Sequence, residues 1–126
     1  HIWCNHYVLF KQLLMTEYYF VLKDYLGREY IFDGVDTTED ADAFLDDDFY
    51  EITSYQKIEL SKTDYVTGYF FFNDECDGED DELDSYSFNT IEDMDLFYEC
   101  NDSGGHYERK RYDVYTNGSL TGTYNE

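Results

Sequence analysis

Aromatic and β-branched residues crowd the first well-patterned stretch of the chain, where Tyr18, Tyr19, Phe20, Val21 and Leu22 lie between Glu17 and Tyr25. Leu26-Gly27-Arg28 supplies a turn before a second apolar run, Tyr30 to Phe32, and the pair predicts a β-hairpin. Thr37 followed three residues later by Asp40 is a short capping box, and Ala41, Phe44, Leu45 and Phe49 then recur at helical spacing. A first short helix is expected there, with Glu39, Asp42, Asp46 and Asp47 on its outward face and acids favoured in its first turn by the helix dipole.

Further on, Tyr50 to Leu60 alternates imperfectly and Tyr69 to Phe72 is a continuous aromatic run reached through Thr67-Gly68, so two more strands are expected. Asn73 to Ser85 is dominated by Asp and Glu around Gly78 and reads as a long solvated loop, a length that points to function or mobility. Asn89, with Glu92 three residues on, reads as the cap of a second helix. Its apolar stripe is Ile91, Met94, Phe97 and Tyr98, set against Glu92, Asp93, Asp95 and Glu99, and Ser103-Gly104-Gly105 ends it. Tyr112, Val114 and Tyr115 lead into Asn117-Gly118, the strongest hairpin signal in the chain, with Leu120 to Tyr124 pairing back. Strands interrupted by short helices predict an α+β fold: a mostly antiparallel sheet with two short acidic helices on one face, in a single small domain. Residues 1–16 are expected to be an apolar extension and residues 17–126 the domain itself. The sequence begins at His1, so Met15 is a candidate native start, and the preceding apolar residues are then available for packing or for a homodimer contact.

Charge changes the picture most. Thirty acids against eight bases give a formal net charge of −22 over 126 residues, a balance that taken alone describes a disordered tail. Aromatic residues at 21% and a hydrophobic set at 42% supply material for a core, so the expectation is a folded domain with an extreme surface. Solubility asks for a net charge of only about 2 to 8 in magnitude, and the excess costs stability through self-repulsion. A salt-loving source is a poor explanation, because Ala41 and Ala43 are the only alanines; the wealth of Tyr, Phe, Asn and Asp and the lack of Pro suit an AT-rich genome, such as that of a phage or plasmid host.

Other chemistries find little footing. Cys4, Cys76 and Cys100 are odd in number and widely spaced, which indicates neither a disulfide framework nor a zinc finger and makes a reducing cytoplasm the default location. The apolar residues between Tyr7 and Met15 are broken by Lys11 and Gln12 and fall short of the roughly 20 needed to span a bilayer. They also lack a basic leading region and a small-residue cleavage site, so neither a membrane role nor a signal peptide is expected. His1, Cys4 and His6 have no second half with zinc-site spacing. Cys100 and His106 flank a Gly-rich turn in an acidic field that raises a thiol pKa, so no catalytic residue is assigned and no enzyme is expected. Arg109, Lys110 and Arg111, beside Tyr107 and Tyr112, are expected to pair with the chain's own acids, orienting the second helix or closing the acidic loop, with no direct contact to nucleic acid.

Two blocks without a single base remain, Asp33 to Glu51 and Asp74 to Asp102. Residues four apart on a helix lie about 6 Å apart and alternate strand residues roughly 6.6 Å apart, so carboxylates on rigid elements approximate a phosphate line. The expected partner-binding residues are Asp36, Glu39, Asp40, Asp42, Asp46, Asp47, Asp48, Asp74, Glu75, Asp77, Glu79, Asp80, Asp81, Glu82, Asp84, Glu92, Asp93 and Asp95. In kind, though in no alignable segment, the chain resembles the small acidic inhibitors of phages and mobile elements: anti-CRISPR and antirestriction proteins and glycosylase inhibitors. That resemblance implies a stoichiometric blocker, without cofactor, that acts as a DNA or RNA mimic on a basic nucleic-acid-binding protein such as a CRISPR effector or restriction enzyme in the host cytoplasm. The alternatives are an accessory phage structural protein, or a cation-binding module. In the latter Asn73, Glu75, Asp77, Asp81 and Asp84 hold calcium, since with Gly78 and Glu79 they fall at EF-hand positions, although Asn73 and Asp84 stand where Asp and a bidentate Glu are most needed.

Overall fold

A computed structural model describes residues 17–72, 83–102 and 107–125. Among these residues seven strands form two antiparallel sheets, with two helices. In chain order the elements are β1 (Tyr18–Asp24), β2 (Glu29–Tyr30), α1 (Thr38–Leu45), β3 (Ile52–Glu59), β4 (Tyr65–Phe72), β5 (Leu83–Phe88), α2 (Ile91–Asn101), β6 (Tyr107–Thr116) and β7 (Ser119–Asn125). Sheet A has the order β2-β1-β3 and sheet B the order β5-β4-β6-β7. The antiparallel α+β architecture is as expected, but the single sheet with helices on one face is corrected to two sheets.

β1 explains why two sheets are needed. Its apolar residues run without alternation, the pattern of a strand buried on both faces. Tyr19 and Val21 join Ile31, Val66, Phe70, Phe88, Met94 and Phe97 in one core, while Phe20 and Leu22 join Val35, Ala41 and Ile52 in another. α1 therefore covers one face of sheet A, and α2 packs against the opposite face and against β4, β5 and β6 of sheet B. Gly68 on β4 makes the closest approach: a Cβ there would lie 2.9 Å from the Met94 Sδ and 2.8 Å from a Phe70 ring carbon, so only glycine lets α2 settle this deep.

Local signals account for most boundaries. Thr37 caps α1 as predicted: its hydroxyl accepts from the Asp40 N–H, and the Asp40 carboxylate accepts from the Thr37 and Asp36 N–H groups. Asn117 and Gly118, at φ 54° and 79°, make the tight turn between β6 and β7. Three expectations are corrected. Residues 83–85, assigned to a loop, begin β5, which pairs with β4. The cap of α2 is Thr90, whose hydroxyl accepts from the Asp93 N–H. Asn89 instead accepts from the Ser61 N–H and donates to the Glu59 carbonyl, tying the end of β3 to the start of α2. Finally, Ile91, assigned to the buried stripe, is 39% exposed.

Candidate acidic interface

The carboxylates divide into those that build the fold and those on display. Asp24 is the clearest builder. It is buried at the end of β1 and accepts from the Leu26 and Arg28 N–H groups, the Arg28 guanidinium and the Tyr30 hydroxyl, at 2.8 to 3.0 Å. Burial alone would raise its pKa; the hydrogen bonds from Tyr30, Arg28 and Leu26 outweigh that and hold it below the usual carboxylate value. Asp93 accepts from the Tyr19 hydroxyl, which in turn accepts from the Asn89 N–H, so one phenol ties β1 to the start of α2. Burial and the bond to Asp93 push the Tyr19 pKa up. Asp95 pairs with Arg109, and Asp113, also buried, accepts from the Thr123 hydroxyl.

Of the predicted partner-binding residues, Asp40, Asp93 and Asp95 thus have structural employment. The Asp36 N–H and the Thr37 hydroxyl and N–H hold Asp40 below its ordinary pKa. Asp42 is exposed and accepts from the Tyr55 hydroxyl, a bond that raises the Tyr55 pKa. Asp36, Glu39, Asp46, Asp47 and Asp48 are exposed on α1 and its flanks; Asp47 also accepts from the Phe49 N–H. Glu92 is exposed in the first turn of α2 and Asp84 on β5. The helices lie on opposite faces of sheet A, so the exposed acids of α1 and those of α2 do not fuse into one row. Beside the α1 acids sits Phe49, 80% exposed, with Leu45 exposed at the end of the helix, an apolar point within a charged surround.

Asn73, Asp74, Glu75, Asp77, Glu79, Asp80, Asp81 and Glu82 lie outside the described residues, as do residues 1–16, Cys76, Ser103, Gly104, Gly105 and His106. The elements flanking the acidic loop are the strands β4 and β5, and Asp84 pairs with Phe70 in the sheet, so the helix-loop-helix frame of an EF-hand is not what carries it. Among the described residues no group of three or more His, Cys, Asp or Glu side chains is placed to hold a metal ion. No helix among them is long and apolar enough to cross a membrane. Cys100 is half-buried, and burial, with Glu99 adding to it, raises its thiol pKa.

The basic tripeptide behaves in part as expected. A β-bulge between Tyr69 and Phe70 sets Arg111 opposite Tyr69 and Arg109 opposite Phe70, which sends the two arginines to different faces of sheet B. Arg109 meets Asp95 on α2 and lies against the Tyr98 and Tyr112 rings, orienting the helix; Arg111 stacks over Tyr69, 4.1 Å from its centroid.

Sequence reasoning missed a cleft of about 440 Å³ between the sheets. Residues 17–20 of the β1 end, the 31–36 segment and residues 85–88 of β5 line it, with Phe97 also in the lining. Glu17, Asp33 and Asp36 are exposed in its lining, which contains no Lys or Arg. No family model matches the chain, and no curated protein or solved structure matches it either.

Proposed function

We propose that this chain is a stoichiometric binding protein that mimics a nucleic-acid backbone and occupies the positively charged groove of a nucleic-acid-binding protein, in the manner of anti-CRISPR and antirestriction inhibitors. The observation that supports this reading is the display of Asp36, Glu39, Asp42, Asp46, Asp47 and Asp48 on one capped helix and its flanks, within a stretch of sequence that has no base between Arg28 and Lys57. Successive acids at spacings of three and four residues on a helix advance about 4.5 to 6 Å along its axis, a scale comparable with the phosphate repeat of a strand. The partner's Lys and Arg side chains meet these carboxylates, and Phe49 provides an apolar anchor among them. Association is electrostatically steered, rapid, and weakened steeply by salt. The inhibitor carries out no chemistry of its own and works in the cytoplasm of the host that holds its target.

A capture experiment tests the reading. The tagged chain is incubated with a bacterial lysate at low and at high salt, with and without competing DNA, and the bound proteins are identified by mass spectrometry. Recovery of a nucleic-acid enzyme that DNA and salt both displace supports the proposal and identifies the target. Recovery of no basic nucleic-acid-binding protein at any salt refutes it.

A further inference from the structure

Apolar side chains left in water collect at one end of sheet A. Among the described residues seven large hydrophobic side chains stay exposed, and four of them are Tyr25 at 61%, Leu26 at 60%, Leu45 at 41% and Phe49 at 80%. Asp24, the last residue of β1, pairs with Ile52, the first of β3, so the turn at 25–28 and the segment from the end of α1 to residue 51 leave the sheet at the same end. Both are held in shape. In the turn, the Asp24 carboxylate accepts from the Leu26 and Arg28 N–H groups and the Asp24 carbonyl accepts from the Gly27 N–H. In the other segment Asp47 accepts from the Phe49 N–H, the Phe49 ring meets Tyr50 edge to face with centroids 4.8 Å apart, and Tyr50 packs against Tyr30 of β2. Glu51 then leads into β3 at φ 57°, a strained conformation for a residue with a side chain, which persists only where its surroundings impose it.

Single exposed apolar residues are ordinary, but several gathered on a fixed frame form the kind of patch that marks a protein contact. Charge selects the partner. Both bases at this end are already engaged, Lys23 with Glu29 and Arg28 with Asp24, which leaves the exposed carboxylates of Asp46, Asp47, Asp48 and Glu51 with no base paired to them among the described residues. A second copy would bring the same four carboxylates to the contact and a nucleic acid would bring phosphates, so like charge opposes both. A basic amphipathic helix brings apolar residues at three- and four-residue spacing to one side with bases flanking them, the complement of an apolar centre in an acidic surround. We infer that this end of sheet A is a docking surface for such a helix of the partner protein. Its apolar stripe covers Leu26 and Phe49, and its Lys or Arg side chains reach the four carboxylates. The two fixed segments hold these anchors in place before the partner arrives, so little ordering cost falls on this side of the contact. The inference rests on the preceding reading only for the sign of the partner's charge. It brings into the interface Tyr25 and Leu26, which lie outside both acidic blocks, and it makes part of the affinity independent of salt.

The probe is a helical peptide of leucine and lysine with its leucines on one face, titrated into the full isotope-labelled chain and followed by amide NMR. A peptide of equal length and charge with alanine in place of every leucine is the comparison. Shifts at residues 25–28 and 45–51 are expected, with the leucine peptide bound at least about tenfold more tightly than the alanine peptide. Leu26→Ser and Phe49→Ser, both at exposed positions, should each remove most of that preference, whereas Leu120→Ser on β7 should leave it intact. In about 1 M salt, which screens exposed charges within roughly 3 Å, both peptides should bind more weakly and the preference for leucine should persist. Equal binding of the two peptides overturns the inference, as do shifts confined to other residues or a leucine preference that survives in both serine variants. Shifts at residues 25–28 and 45–51 that follow the concentration of the chain alone also overturn it, because they place a second copy there. The capture experiment and this one fail separately: the peptide is no nucleic-acid-binding protein, and a captured target can be held by the acids of α1 without any preference for leucine here.

Discussion

The two helices begin alike and end differently. Each is capped by a threonine, at Thr37 and Thr90, each has two acids in its first turn, and neither has a base in its last. α2 gives two of its carboxylates structural partners, Asp93 the Tyr19 hydroxyl and Asp95 the Arg109 guanidinium, while Glu92 and Glu99 stay exposed, and Met94 and Phe97 are buried between the sheets. α1 buries only Ala41, spends Asp40 on its own cap, and leaves Glu39 and the acids that follow it exposed. The same composition serves construction in one helix and display in the other, so the net charge overstates the area available to a partner.

The largest expected effect separates the two as structural members. Phe97→Ala should cost about 3 to 5 kcal/mol in a urea unfolding experiment, and Phe44→Ala, on the partly exposed side of α1, well below that; equal losses would break the comparison. Next, Tyr19→Phe removes the donor to Asp93 and the acceptor for Asn89 and should cost about 1.5 to 3 kcal/mol, the range for bonds to charged groups. A change within error would mean that α2 is held by packing alone.

Acidity sharpens the distinction further. Asp24 and Asp40 have pKa values below the unfolded value of about 3.9, so their stabilisation is complete above that value and is lost as pH falls through their folded values. Urea midpoints should therefore fall in acid, and Asp24→Asn should flatten that fall; an unchanged fall would remove Asp24 from this role. The smallest stability effect belongs to the triple change of Asp46, Asp47 and Asp48 to Asn, which should lie within about 0.5 kcal/mol of the parent or on the stabilised side. The same chain should bind its captured target more weakly and with a shallower salt dependence. Unchanged affinity would take these residues out of the interface.

Signals confined to a few residues were legible in the sequence. The Thr37 capping box and the Asn117-Gly118 turn depend on local chemistry and appear where that chemistry stands, and so does the hairpin around Gly27, with its second arm cut from Tyr30 to Phe32 to Glu29–Tyr30. β5 was hidden because Asp84, Ser85 and Ser87 continue the acidic, turn-like composition of the preceding loop, while the period of two that marks the strand rests on Tyr86 and Phe88 alone. Asn89 and Thr90 are both good caps, and only the contact with Ser61 and Glu59, 28 and 30 residues away along the chain, decides between them. Which acids have structural partners was illegible for the same reason. Asp93 and Asp95 differ from Asp46 and Asp47 through Tyr19 and Arg109, and those partners come from other strands.

The bulge that parts Arg109 from Arg111 also bears on how sheet B finds its alignment. β6 carries one more residue than β4 over this interval, so the strands are matched gauges with a single odd notch. Sliding β6 by one residue would turn Tyr112 and Val114 away from α2, and sliding it by two would carry the notch off the Tyr69–Phe70 step and pull Arg109 away from Asp95. A sheet with tyrosines on all four of its strands thereby acquires an index mark, and its pairing is proofread by the same arginine that fastens the helix.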